Sequence, residues 1–161
     1  MIIKIRSGGQ TGVDRGALDF AIKKGIPHGG FCPKGRRSES GRISDKYNLV
    51  ETNSPDYPDR TQKNVAHSDG TLIISRGSPS GGTKLTEQIA IRYNKPRFVV
   101  NLKRPLDAEK FVAWVREHNI RELNVAGPRE SKQSGIQKQT VKVMAKLWEL
   151  LEQSCQPGRM P

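Results

Sequence analysis

The stretch that most constrains this chain is Ser7-Gly8-Gly9-Gln10-Thr11-Gly12-Val13-Asp14-Arg15-Gly16. A β-branched run, Ile2-Ile3-Lys4-Ile5-Arg6, precedes it. Apolar residues at helical spacing follow: Val13, Ala17, Leu18, Ala21 and Ile22. Strand, glycine-rich turn and helix, in that order, are how open α/β sheets build an anion site. Free N–H groups of the turn and of the first helical turn point at the ligand, and the helix dipole favours negative charge. Gly8, Gly9 and Gly12 carry no Cβ to keep a ligand from the backbone. Gly8, Gly9, Gln10, Thr11, Gly12, Asp14 and Arg15 are therefore candidate binding residues. The bland alternative is a turn whose glycines only let strand meet helix.

The turn is not a dinucleotide fingerprint. That pattern needs glycines at its first, third and sixth positions, and an acidic residue after the second strand to hold a ribose. Here Cys32-Pro33-Lys34 stands where the acid belongs.

Further along, strand and helix patterns alternate. Ile26 to Phe31 reads as a short second strand weakened by its glycines. Residues 33–58 lose periodicity, apart from a brief strand at Tyr47–Glu51, and read as a functional or a disordered loop. Asp59 is placed to cap a short helix, and Gly70–Ser75 is the best central strand. Helices from Lys84 to Tyr93, after Asp107, and from Gly135 to Gln153 alternate with strands at Arg97–Asn101 and Leu123–Ala126. This predicts one Rossmann-like α/β domain over residues 1–155, with residues 156–161 as a tail. The sheet should be doubly wound, with five or six mainly parallel strands and helices on both faces. The first strand and the Gly70 strand should be neighbours at its centre.

A second glycine turn, Gly77-Ser78-Pro79-Ser80-Gly81-Gly82-Thr83, ends the Gly70 strand. Thr83-Lys84 inverts the Lys-Ser/Thr order of a phosphate-binding loop, which argues against nucleotide hydrolysis of that type. An anion at the helix start, held by Ser80, Gly81, Gly82 and Thr83, is still expected. Lys34, Arg36 and Arg37 follow the second strand on the same side. They are read either as a lid over a phosphate or as a solvated basic loop. Asp14 and Glu87 are the candidate catalytic carboxylates.

The charge agrees with an anionic ligand: 28 Lys and Arg against 16 Asp and Glu give +12 over 161 residues. The two cysteines, Cys32 and Cys155, make neither a disulfide framework nor a zinc site, and no metal or haem site is expected. The strand at the N-terminus leaves no room for a signal peptide, and no apolar run reaches membrane-spanning length. A cytoplasmic protein without membrane contact is expected. The basic stretches hold no aromatic stacking platform, so nucleic acid ranks last among partners.

Four blocks carry a resemblance. Ser7 to Asp19, Gly30-Phe31-Cys32-Pro33-Lys34-Gly35-Arg36-Arg37, Ser68-Asp69-Gly70-Thr71-Leu72-Ile73 and Ser80-Gly81-Gly82-Thr83 together resemble the molybdenum carrier family. That family is similar to molybdenum cofactor carrier proteins and, more distantly, to the lysine-decarboxylase-like phosphoribohydrolases. The resemblance implies a Rossmann-like fold, a homo-oligomer, and a crevice for a phosphorylated pterin (molybdopterin) or a nucleotide. It also implies a molybdoenzyme as acceptor. The phosphoribohydrolases have a Pro-Gly-Gly-x-Gly-Thr-x-x-Glu pattern. Here Pro79-Ser80-Gly81-Gly82-Thr83-Lys84-Leu85-Thr86-Glu87 alters its glycines and places Glu87 one residue late. One residue is about 100° of helix, so Glu87 should point elsewhere. The leading expectation is a carrier or binding protein for such a ligand at the carboxyl edge of the sheet. The alternative is a nucleotide-processing hydrolase of the phosphoribohydrolase or N-glycosidase kind, with Asp14 or Glu87 assisting.

Overall fold

A computed structural model describes residues 1–156 of the chain. The first β-branched run forms β1 (Lys4–Arg6). The glycine turn leads into α1 (Val13–Lys24), whose apolar stripe is buried and which ends at Gly25 in the left-handed conformation. The expected second strand divides into β2 (His28–Gly29), which pairs with β1, and β3 (Phe31–Cys32), which leaves the main sheet.

Residues 33–58 are a built unit and not a structureless loop. β4 (Arg37–Ser38) and β5 (Gly41–Arg42) form a small antiparallel hairpin, and β6 (Val50–Glu51) pairs with β3. Beneath them Leu18, Cys32, Ile43, Tyr47 and Leu49 make a separate small core. Arg36 holds the loop around itself, its guanidinium donating to the carbonyls of Ile43, Ser44 and Tyr47. Its ladders are only two residues long and side-chain-to-backbone bonds do the rest, so the segment has no periodicity to read.

The remaining elements follow the expected alternation. α2 (Tyr57–Ala66) starts after Asp56, three residues ahead of the expected cap Asp59, with Pro58 in its first turn. β7 (Gly70–Ser75) is buried throughout. α3 (Gly81–Arg92) starts directly after Ser80, three residues before Lys84. β8 (Arg97–Asn101) and α4 (Ala108–Glu117) come next, and Asp107 caps α4 by accepting from the Lys110 amide. β9 (Glu122–Ala126) and α5 (Ile136–Ser154) close the chain. Of the expected tail, all but Gln156 lies outside the described residues.

These elements build a Rossmann-like α/β fold. Its main sheet is parallel, in the order β2-β1-β9-β7-β8. One expectation is corrected by that order: β1 and β7 are not neighbours, because β9 enters between them. The cause is topological. With β9 and α5 moved ahead of β1, the same sheet would read 3-2-1-4-5, the doubly wound order. A chain that carries its central strand last hides its centre from a reading that starts at the N-terminus.

The larger core, with Ile5, Leu72, Leu123, Phe111 and Leu147, lies under α1, α4 and α5. On the opposite face α2 and α3 pack together around Val65, Ile89 and Ala90. β9 therefore leads to a helix on one face and its neighbour β7 to a helix on the other. Such a switch point opens a crevice at the carboxyl ends of the strands. Among the described residues no helix is long and apolar enough to cross a membrane.

Candidate functional site

A cavity of about 570 Å³ opens at this switch point. Its base is the end of β9, from Asn124 to Gly127. One wall is the first turns of α2, with Tyr57, Arg60 and Thr61; the other is the start of α3, with Ser80, Gly82 and Thr83. The first glycine turn contributes Gly8, Gln10 and Asp14 from behind. Arg129, Lys132 and Gln133 reach in from the loop between β9 and α5.

Most acceptors in this cavity are already used. Asp14 Oδ2 accepts from Arg60 Nη1 at 2.8 Å and from the Gln10 amide at 3.3 Å. Burial raises the Asp14 pKa, and the Arg60 guanidinium opposes that shift. Gln10 Oε1 accepts from the amides of Thr11 and Glu39, both at 3.0 Å. Gln133 Oε1 accepts from the Arg76 amide, and Asn64 brackets the Phe31 backbone with both its side-chain atoms. Among the described residues Asp14 Oδ1 is left free, and two donors are left over as well. Gln10 Nε2 and Arg60 Nε are buried with no partner. Gln10 is itself only 6% exposed, and its amide orientation is fixed by the two bonds to Oε1.

The start of α3 adds to the surplus. The amides of Gly81 and Gly82 precede the first intrahelical bond, and no acidic residue stands in that turn. Lys132 Nζ lies 3.3 Å from where a Cβ on Gly81 would sit, among the described residues without a carboxylate partner. A cation at the positive end of a helix dipole has the wrong sign. An anion between Lys132 and the α3 amides would satisfy both. At the rim the Tyr57 ring is flanked by the guanidiniums of Arg37, Arg60 and Arg129, centred 5.1, 5.5 and 5.7 Å from it.

The residues singled out in the sequence divide into three groups. Gly8, Gln10, Asp14, Ser80, Gly82 and Thr83 line the cavity, and Gly81 stands beside Lys132 at its edge. Gly9, Thr11, Gly12 and Arg15 sit one layer behind. The space over Gly9 is filled by Leu49 and Ile43, and that over Gly12 by the backbone from Pro128 to Glu130. Thr11 donates to Glu39 and accepts from the Glu130 amide. Arg15 donates to Gly9 O, Ser38 Oγ and Ser40 Oγ, tying α1 to the hairpin. In the third group Lys34 is exposed away from the cavity, Arg36 is consumed by its own loop, and Arg37 reaches only the Tyr57 ring. Glu87 is outside the cavity too, paired with Lys84 at 2.7 Å and near Arg97 at 3.7 Å. Cys32 is buried in the small core, and desolvation pushes its thiol pKa up.

Tyr57, Arg60, Arg129 and Lys132 escaped the sequence reading. A signal for two of them was present: Gly127-Pro128-Arg129 ends the last strand as the other glycine turns end theirs. Arg60 had none, since its partner Asp14 is forty-six positions away in sequence. Among the described residues no group of three or more His, Cys, Asp or Glu side chains is placed to hold a metal ion.

Fold and crevice together define a Rossmann-like α/β protein with a donor-rich pocket at its switch point. Residues 5–148 match the model of the circularly permutated YpsA SLOG family, and the chain belongs to that family. It is similar to a crystal structure described as "Putative molybdenum carrier protein" from Syntrophus aciditrophicus SB. The identity is 48% and the TM-score 0.86, over 91% of this chain and 94% of that one. No curated protein matches the chain.

Proposed function

We propose that this protein binds a phosphorylated, planar, anionic ligand in the switch-point crevice, and that the ligand is a molybdopterin-type cofactor carried as cargo. The observation that carries the reading is the apposition of Lys132 with the acid-free start of α3. Gln10 and Arg60 line the same cavity, with Gln10 Nε2 and Arg60 Nε buried beneath its surface without partners. A phosphate or another oxyanion, which only accepts, answers such a set. The guanidiniums of Arg37 and Arg129, gathered about the Tyr57 ring, offer flat surfaces for a heterocycle at the rim. The name of the similar Syntrophus protein supports the choice of cargo. Any molybdenum would arrive with the ligand, held by its own ligand atoms. The receiver in this reading is a molybdoenzyme.

Geometry favours binding over hydrolysis. A glycosidic hydrolysis needs a carboxylate free to act on water or on the sugar. Asp14 has one oxygen held by Arg60 and the Gln10 amide, its ionisation is opposed by burial, and Glu87 is outside the crevice.

The test is titration of the purified protein with molybdopterin, adenosine monophosphate and unphosphorylated pterin, alongside mass spectrometry of small molecules that copurify with it. The phosphorylated pterin should bind saturably, and Lys132→Ala should weaken it about tenfold, close to the worth of one charge-assisted contact. Equal binding of the unphosphorylated pterin, or indifference to Lys132→Ala, would overturn the reading.

A further inference from the structure

Beside the crevice, on the other side of the loop from Gly127 to Gly135, lies a second groove of about 530 Å³. It runs between α5 and the segment that follows β8. Its walls are cationic. Lys138, Lys142 and Lys146 stand at i, i+4 and i+8 on α5, all exposed, and Arg104 faces them from the β8–α4 connection. Its floor is apolar: Leu102 and Leu106 are half-buried, and Val100 and Val143 lie buried beneath them. No acidic residue lines it, and none of the four cations has an ion-pair partner among the described residues.

A helix surface normally intersperses acids at i±4 to relieve a lysine row, and this one has none. Four uncompensated cations repel one another unless something negative lies between them. Nucleic acid would supply that charge, but its phosphate backbone has nothing to place against leucine and valine. An amphipathic helix with one acidic and one apolar face supplies both.

We infer that this groove docks an acidic amphipathic segment of a partner protein. The groove and the crevice share a border. Arg76 joins them, donating to Ser134 O at 2.7 Å and to Gln139 Oε1 at 3.0 Å, and its amide is held by Gln133. A segment in the groove therefore packs against the loop that carries Arg129 and Lys132. The proposal stands whatever fills the crevice.

Fluorescence anisotropy of the full chain with a labelled helical peptide, one face leucine and the other glutamate, tests it. Unstructured polyglutamate and duplex DNA serve as competitors. The peptide should bind saturably, and the paired variant Lys138→Glu with Lys142→Glu should weaken it at least about tenfold. Leu106→Ser should weaken it as well, while polyglutamate and DNA should compete poorly. All three substitution sites are outside the crevice, so ligand titration in the same variants should be unchanged. The proposal is overturned if the peptide fails to saturate, if neither variant changes its affinity, or if polyglutamate or DNA displaces it at equal charge concentration.

Discussion

Arg60 Nη1 donates to Asp14 Oδ2 across 2.8 Å, joining α2 to the first turn of α1 over the glycine turn. The guanidinium passes directly over Gly8, in the space any Cβ there would occupy. Both side chains are largely out of water, at 13% and 7% exposure. Removal of one partner leaves the other buried and uncompensated. Asp14→Ala should therefore lower unfolding stability by about 3 kcal/mol in urea denaturation. Gly8→Ala should displace Arg60 and reproduce part of that loss.

Two glycines at the site should behave oppositely. Gly12 has φ +81°, and a Cβ there would meet the Glu130 amide nitrogen at 2.7 Å, with the Pro128 carbonyl closer still. Gly12→Ala should cost about 2 kcal/mol or more through strain and displacement of the β9–α5 loop. Gly82 has open space around its Cβ position and no positive φ. Gly82→Ala should leave stability within about 0.5 kcal/mol in the same denaturation experiment, yet reduce anion affinity because the methyl intrudes on the crevice.

Arg36 is a structural residue of the loop between β3 and β6. Lysine cannot reproduce its fork, so Arg36→Lys leaves carbonyls of Ile43, Ser44 and Tyr47 short of donors. The expected loss is about 2 kcal/mol. Limited proteolysis should show earlier cleavage within residues 37–49 than in the parent protein.

Glu39 ties the β4–β5 hairpin to the crevice loop by accepting from Thr11, from Ser131 Oγ at 2.5 Å and from the Ser131 amide at 3.2 Å. Desolvation works against ionisation, but the bonds from Ser131 and Thr11 and the nearby Arg129 prevail and lower its pKa below 4.5. A depressed carboxyl contributes stability that is present above the unfolded value and lost as pH falls through the folded one. The protection factors of the Glu39 and Ser131 amides, exchange corrected for its intrinsic pH dependence, should thus be high at neutral pH and fall as pH drops below 4.5. Glu39→Gln should show low protection at both pH values.

The elements that repeat a period were legible in the sequence: α1, β7, α3, β8, α4 and α5 fall within a few residues of expectation. So did the crevice's position at the strand ends, because Gly8, Gln10, Ser80 and Gly82 follow strands whose direction the alternation sets. The centre of the sheet was not legible. β9 reaches it from the far end of the chain, and no local pattern records which strands become neighbours. The basic loop was legible as basic but not as structural. Whether an arginine faces a ligand or four carbonyls of its own backbone depends on how the chain turns, and Arg36 turned inward. The cations that face the crevice, Arg60, Arg129 and Lys132, come from elements that pack against the glycine turn only in three dimensions.

The central claim is that Lys132 and the start of α3 hold an anion between them. Isothermal titration of the wild-type protein and of Lys132→Ala with inorganic phosphate and molybdate, at low ionic strength, tests it most directly. The account predicts one saturable site per chain in the wild-type protein, about tenfold weaker in Lys132→Ala. It also predicts unfolding stability in that variant equal to or above the parent, since a cation leaves the positive end of a helix. Anion binding of equal strength in both proteins, or none in either, would contradict it.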